Sequence, residues 1–115
     1  MFPLSAVTFT PPLKASTASP LKSYSATAGV SRGFCGDCGS FLFWKKDDGD
    51  MIDLLAGSFD QEYLIKYGET LTTASRHLYC EREIKGVTDH LQGVKYKLDS
   101  LGEGAQLTSD SKKPE

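Results

Sequence analysis

Short apolar runs separated by polar and glycine-containing turns recur along this chain, and one stretch alternates with the period of a β-strand. That stretch is Leu21 to Ala28, with Tyr24, Ala26 and Ala28 set against Ser25 and Thr27 until Gly29 ends the pattern. Arg32 to Cys35 leads into a tight turn at Gly36-Asp37, and Phe41-Leu-Phe-Trp44 follows as an aromatic run suited to a sheet-facing core. Lys45 to Gly49 is a charged turn. Its Asp48-Gly49 pair lies between two apolar runs, the position where a hairpin needs residues that tolerate positive φ. Met51 to Ala56 is then the partner strand, closed by Gly57-Ser58. Phe59 to Tyr67 reads equally as a helical turn or a short extended piece. Thr72 to Glu83, with His77-Leu-Tyr-Cys80 inside it, predicts a further strand, whereas Gly86 to Leu98 has only weak helical periodicity. Short strands punctuated by glycine predict a mainly β domain.

The flanks lack this patterning. Residues 1–19 and the adjoining Pro20 hold four of the five prolines, Pro3, Pro11, Pro12 and Pro20, among Ser and Thr. Such a leader is expected to be extended or disordered, because it has too little apolar surface to form a core. Residues 103–115 read the same way, which leaves 20–102 as the folded domain. Residues 1–34 carry Lys14, Lys22 and Arg32 without an acid, a bias shared with organelle transit segments. The basic residues are too sparse for that reading, and an ordinary lead-in is preferred.

At 115 residues the chain has room for one small domain, a size at which a metal clip usefully supplements a modest core. A net charge of −2 gives no reason to expect a nucleic-acid partner. No apolar run approaches the roughly 20 residues that a helical membrane span requires. No secretory signal is evident at the amino-terminus. Three cysteines, two of them close together, differ from the even, dispersed set of a secreted disulfide scaffold. A reducing, cytoplasmic location is expected.

The close pair carries the strongest chemical signal: Cys35 and Cys38 in Phe34-Cys-Gly-Asp-Cys-Gly39. In a zinc knuckle two thiolates come from one tight turn, and a glycine after the second cysteine lets the backbone take positive φ there. A redox Cys-x-x-Cys instead sits at a helix amino-terminus, where the helix dipole lowers the thiol pKa. The aromatic run Phe41 to Trp44 is a poor helix start, so the zinc reading is favoured, with a redox pair and unligated cysteines as alternatives. Structural zinc takes four ligands. His77 and Cys80 would complete the set within the chain, but residues three apart on a strand face opposite ways and converge only on a turn or helix. The preferred reading is that Cys80 is a small buried apolar residue and His77 an ordinary polar residue at a strand end. His90 is given no role. Asp47, Asp48 and Asp50 lack calcium-loop spacing, and no nucleophile–base constellation can be placed, so no catalytic residue is assigned.

The segment Tyr24 to Phe43, with Arg32-Gly-Phe-Cys-Gly-Asp-Cys-Gly-Ser-Phe-Leu42 at its centre, is followed by Leu55-Ala-Gly-Ser-Phe-Asp60 and Arg76-His-Leu-Tyr79. Together these pieces resemble the carboxy-terminal half of the glutathione-dependent formaldehyde-activating enzyme (GFA) family, which includes the centromere protein V proteins. The resemblance covers about residues 20–85. It implies a β-tent fold of short antiparallel sheets around zinc. It also implies carbon–sulfur lyase activity of the S-(hydroxymethyl)glutathione synthase type, with a glutathione-derived small molecule as substrate. By position Cys35 and Cys38 would supply two thiolates of a structural zinc. In the family the other two come from an upstream Cys-x-Cys, and a catalytic zinc uses an upstream Cys-x-Cys-x-x-Cys.

No cysteine precedes Cys35 here. Relative to the family the chain is therefore expected to be amino-terminally truncated and inactive by itself. An exposed sheet edge would then favour a homodimer. The other expectations to carry forward are a non-catalytic zinc-binding or interaction module and a redox Cys-x-x-Cys protein.

Overall fold

A computed structural model describes residues 1–10, 19–100, 105–109 and 111. The expectations for 11–18, with Pro11 and Pro12, and for 101–104, 110 and 112–115 lie outside the described residues. The fold is mainly antiparallel β with one α-helix, and its sheet is open rather than closed into a barrel. Backbone contacts divide the chain into two compact units, Met1–Leu71 and Thr72–Glu115.

The first unit is a five-stranded sheet. Its strands are β1 (Phe2–Pro3), β2 (Leu21–Tyr24), β3 (Val30–Cys35), β4 (Phe41–Lys46) and β5 (Met51–Leu54), in the order β1-β5-β4-β3-β2. The middle strands are joined by the two turns read from sequence, at 36–39 and 47–50. At the second, the Gly49 N–H donates to the Lys46 carbonyl at 3.2 Å, and the Ser31 hydroxyl donates to Asp47 Oδ1 at 2.5 Å. Strand β2 stops at Tyr24, short of the expected Ala28, because residues 25–29 bend away to a turn in which Gly29 takes φ +75°. Residues 2–6, within the expected leader, form β1 and a 3-10 turn at Leu4–Ala6.

The core of this sheet is thin. Phe43 and Ile52 are 3% and 1% exposed. Gly33 is paired directly with Phe43, and a Cβ at Gly33 would fall onto the Phe43 ring. The absent side chain is what lets the ring lie flat across β3. Phe9 packs edge-on against the same ring, with centroids 5.6 Å apart. The β3–β4 register shifts between Gly33 and Phe34: Gly33 faces Phe43, Phe34 faces Phe41, and Leu42 is the extra residue of a bulge.

After β5, a 3-10 turn at Ala56–Ser58 leads to α1 (Gln61–Thr72). The segment that sequence left undecided between helical turn and extended piece is helical, and the helix runs on to Thr72. Asp60 begins it, its carbonyl accepting from Tyr63 and Leu64. Glu62 in the first turn complements the helix dipole, and Leu64, Gly68 and Leu71 form the less exposed stripe at helical spacing.

The second unit is built differently. Strands β6 (Arg76–His77) and β7 (Val94–Lys95) pair in parallel, a connection the weak periodicity of 86–98 did not indicate. The strand expected across Thr72 to Glu83 is reduced to β6, because Tyr79 adopts the left-handed conformation, φ +58°, and turns the chain into a 3-10 helix at Cys80–Arg82. Lys95 is buried at 6% exposure. Its ammonium bonds to Glu83 Oε1 at 2.8 Å and to the Asp89 carbonyl at 3.0 Å. Residues 106–108, inside the expected tail, pair with 95–97 through Lys97 N–H to the Gln106 carbonyl and Thr108 N–H to the Lys95 carbonyl. No helix among the described residues is long and apolar enough to cross a membrane.

Candidate functional site

The candidate metal ligands Cys35 and Cys38 sit on the loop between β3 and β4. Cys35 is the last residue of β3, and its N–H donates to the Ser40 carbonyl at 2.9 Å. The Gly39 N–H returns to the Cys35 carbonyl at 2.7 Å, closing a single turn around the two cysteines. That closure needs Gly39 at φ +77°, a conformation that costs an L side chain about 1–2 kcal/mol. Gly36 is held from the other side, its N–H donating to the Pro20 carbonyl at 2.6 Å. A Cβ at Gly36 would lie 3.0 Å from that carbonyl oxygen and 2.9 Å from Lys22 Cγ. Both loop glycines are therefore required by backbone geometry.

Cys35 is half-buried and Cys38 exposed, and both are free thiols. Cys38 Sγ lies 3.2 Å from Ser40 Oγ. Hydrogen bonds from the Ser40 hydroxyl, the Ser40 backbone and the Cys35 thiol hold the Cys38 thiol below its ordinary pKa, against small opposing effects of burial and the Asp37 charge. Two sulfurs close enough for one to influence the other, on a loop that favours thiolate, form a soft donor set suited to zinc.

The thiols open onto a hollow of about 640 Å³. It is lined by Cys35, Cys38, Ser40, Phe41 and Leu42 from β3, the loop and β4, and by Leu55, Gly57 and Ser58 from the segment after β5. The Leu55 N–H donates to the Leu42 carbonyl at 3.0 Å, and the Ser58 hydroxyl donates to the Leu55 carbonyl at 2.7 Å. Two sequence pieces singled out separately, Cys-x-x-Cys-Gly-Ser and Leu-Ala-Gly-Ser, thus line one cavity.

His77 and Cys80 line a second hollow, within the second unit. The turn at Tyr79 supplies the change of direction that two residues three apart need to face one space. His77 Nε2 is engaged with the Gln92 carbonyl at 2.8 Å, and Cys80 Sγ points to the Leu78 carbonyl at 3.9 Å. Among the described residues no group of three or more His, Cys, Asp or Glu side chains is gathered so as to hold a metal ion. Cys35 and Cys38 fit zinc as half of a four-ligand site.

Three features went unread in the sequence. Ser40 acts on Cys38, and the Cys-Gly-Ser order was its available signal. Arg76 and Arg82 share the second hollow, which only the bend at Tyr79 makes possible. Arg32 has a buried Nη1 without a hydrogen-bond partner among the described residues, and nothing local in the sequence announces it. Compared with protein-family models, curated proteins and solved structures, this chain has no match.

Proposed function

We propose that this chain is a zinc-binding protein of the GFA type, in which Cys35 and Cys38 are two thiolate ligands of a structural zinc. The observation that carries this reading is the hollow itself: it brings Cys35, Cys38 and Ser40 together with Leu55, Gly57 and Ser58, two of the pieces on which the resemblance rests. A tight loop with glycine at φ +77° after the second cysteine is the backbone a knuckle uses, and the lowered Cys38 thiol favours the ligating thiolate.

The family's activity is carbon–sulfur bond chemistry on glutathione–formaldehyde adducts. A catalytic zinc with three protein ligands and an open position cannot be drawn from Cys35, Cys38 and Cys80 once two of them serve a structural ion. The chain by itself is therefore a non-catalytic zinc-binding module, and we place no reaction step on it. Two copies, each giving Cys35 and Cys38, would reach four thiolates, which makes a zinc-bridged homodimer the form to test.

Metal content measured by mass spectrometry alongside oligomeric state tests this reading. About half a zinc per chain, found in dimers and lost in both Cys35→Ser and Cys38→Ser, is expected for a shared four-thiolate site. Zinc retained in both variants would overturn it. Formation of S-(hydroxymethyl)glutathione from formaldehyde and glutathione, above the uncatalysed rate, would overturn the non-catalytic assignment.

The exposed, low-pKa Cys38 beside Cys35 also favours a second reading, a dithiol that passes to a disulfide. It would give two electrons and two protons to an oxidant such as glutathione disulfide. Reversible loss of two titratable thiols in a zinc-free glutathione buffer, abolished by Cys35→Ser, would support it. Zinc that blocks this oxidation would return the pair to its metal role.

A further inference from the structure

The Thr72–Glu115 unit holds a hollow of about 390 Å³ that the thiol site does not involve. Its size is in the range of small-molecule pockets. Arg76 and Arg82 both line it. Along a continuous strand, residues six apart would stand about 20 Å from each other. Here the left-handed turn at Tyr79, followed by the 3-10 helix Cys80–Arg82, folds the chain back so that both arginines border one space. Positive φ at a tyrosine is uncommon and strained, and the surrounding backbone must hold it in place. It does: Tyr79 N–H donates to the Leu98 carbonyl at 2.8 Å and Cys80 N–H to the Tyr96 carbonyl at 2.9 Å.

The charge in this hollow is unbalanced. Glu83 also lines it, but its carboxylate is bound to the buried Lys95 ammonium at 2.8 Å. No ion pair among the described residues takes up the guanidinium of Arg76 or Arg82. The rest of the wall includes the apolar side chains of Leu78 and Leu91 and the Tyr79 ring.

The backbone amides of the turn at 79–83 are not available to help bind an anion. The N–H groups of residues 79–83 are all spent, on the carbonyls of Leu98, Tyr96, Lys97, Tyr79 and Cys80 in turn. Phosphate sites typically recruit such amides as a nest or helix terminus. Recognition here falls on two planar guanidinium forks, which match a carboxylate two bonds at a time. Apolar walls beside the forks suit an aliphatic body.

We propose that the hollow formed by β6 and the Cys80–Arg82 turn binds the carboxylate of a small aliphatic organic acid through Arg76 and Arg82. The ligand's carbon chain lies against Leu78 and Leu91. The Tyr79 turn positions the two arginines and makes no chemical contribution of its own.

An amide NMR titration of the full chain with succinate tests this. Saturable shifts confined to residues 76–91, with a Kd of about 1 mM, are expected for a small, open, two-arginine site. Arg76→Gln and Arg82→Gln should each weaken binding about tenfold, since each removes a charge-assisted fork. Arg76→Lys, which keeps the charge and loses the fork, should fall between. Succinamide, neutral and similar in shape, should leave the spectrum unchanged. Both arginines are exposed, and each variant's own spectrum reports whether it is folded. The absence of saturable shifts in the wild type would overturn the proposal, as would equal binding by both glutamine variants. Inorganic phosphate binding as tightly as succinate through the same arginines would overturn the carboxylate assignment.

Discussion

The two units of this chain are stabilised by different means. In Met1–Leu71 the backbone does most of the work: four antiparallel pairings run across the sheet, and Phe43 and Ile52 fill its buried face. Among the described residues of Thr72–Glu115, regular pairing is limited to two-residue strands and one isolated bridge, Tyr96 with Leu107. Its most buried described side chain is a lysine. The contrast extends to the tight turns. The thiol loop reaches positive φ with Gly39, where it carries little cost, whereas the second unit imposes it on Tyr79. A ladder tolerates many local losses, while a unit held by short backbone pairings, a buried ion pair and a strained corner concentrates its stability in fewer residues.

That contrast breaks most clearly at Lys95. Lys95→Ala leaves the Glu83 carboxylate without its counter-ion and should destabilise the second unit by about 3 kcal/mol. Hydrogen exchange should then accelerate across residues 76–98 and remain slow in β3–β5. A Glu83→Gln/Lys95→Met pair should recover most of the loss, because the uncompensated charge is gone. The matching lesion in the sheet is Gly33→Val, which forces a side chain into the Phe43 ring and should cost about 2–3 kcal/mol in urea unfolding. Protection in 76–98 unchanged in the first variant, or a sheet that absorbs the second, would erase the distinction.

Smaller effects sharpen the comparison of the two corners. Gly39→Ala should lower stability by about 1–2 kcal/mol, and Tyr79→Gly should raise it by up to about 1 kcal/mol, both read from thermal unfolding. Opposite signs at two positive-φ positions would identify strain, and not lost contacts, as the cause. The smallest effect concerns ionisation. Because the Cys38 thiol lies below its ordinary value, it should alkylate with iodoacetamide at lower pH than the thiol of a free cysteine peptide. Ser40→Ala removes the largest stabiliser of the thiolate, so the Cys38 profile should move to higher pH and its rate at a given pH should fall. An unmoved profile would show that the hydroxyl is a bystander.

Much of the sheet was legible because its determinants are local. The aromatic run Phe41 to Trp44 and the apolar run Met51 to Ala56 placed β4 and β5, Asp48-Gly49 placed their turn, and Gly36 and Gly39 marked the loop that carries the cysteines. The helix was harder: Phe59 to Tyr67 reads as either a helical turn or an extended piece, and Asp60, a residue type favoured just before a helix, was the available signal for its start. The second unit was mostly illegible for a physical reason. Its hold depends on pairing residues 79–81 with 96–98, at a sequence separation that no periodicity reports, and on a lysine that any hydropathy pattern assigns to the surface. The thiol pair was legible as two residues and as a loop. Its neighbours in the hollow, Leu55 to Ser58, became part of the site only through folding.

The bulge at Leu42 gives the hairpin a further property. Side chains along β4 follow one in–out phase from Phe43 onward and another at Phe41, so the loop and the sheet are indexed independently. A change in loop length on the cysteine side can be taken up at the bulge without turning Phe43 away from the core. For an engineer the thiol loop is thus the place to change length, provided Gly36, Gly39 and the pairing of Phe34 and Cys35 with β2 are kept. The same independence leaves the loop positions other than Gly36 and Gly39 to vary under selection for what the loop binds.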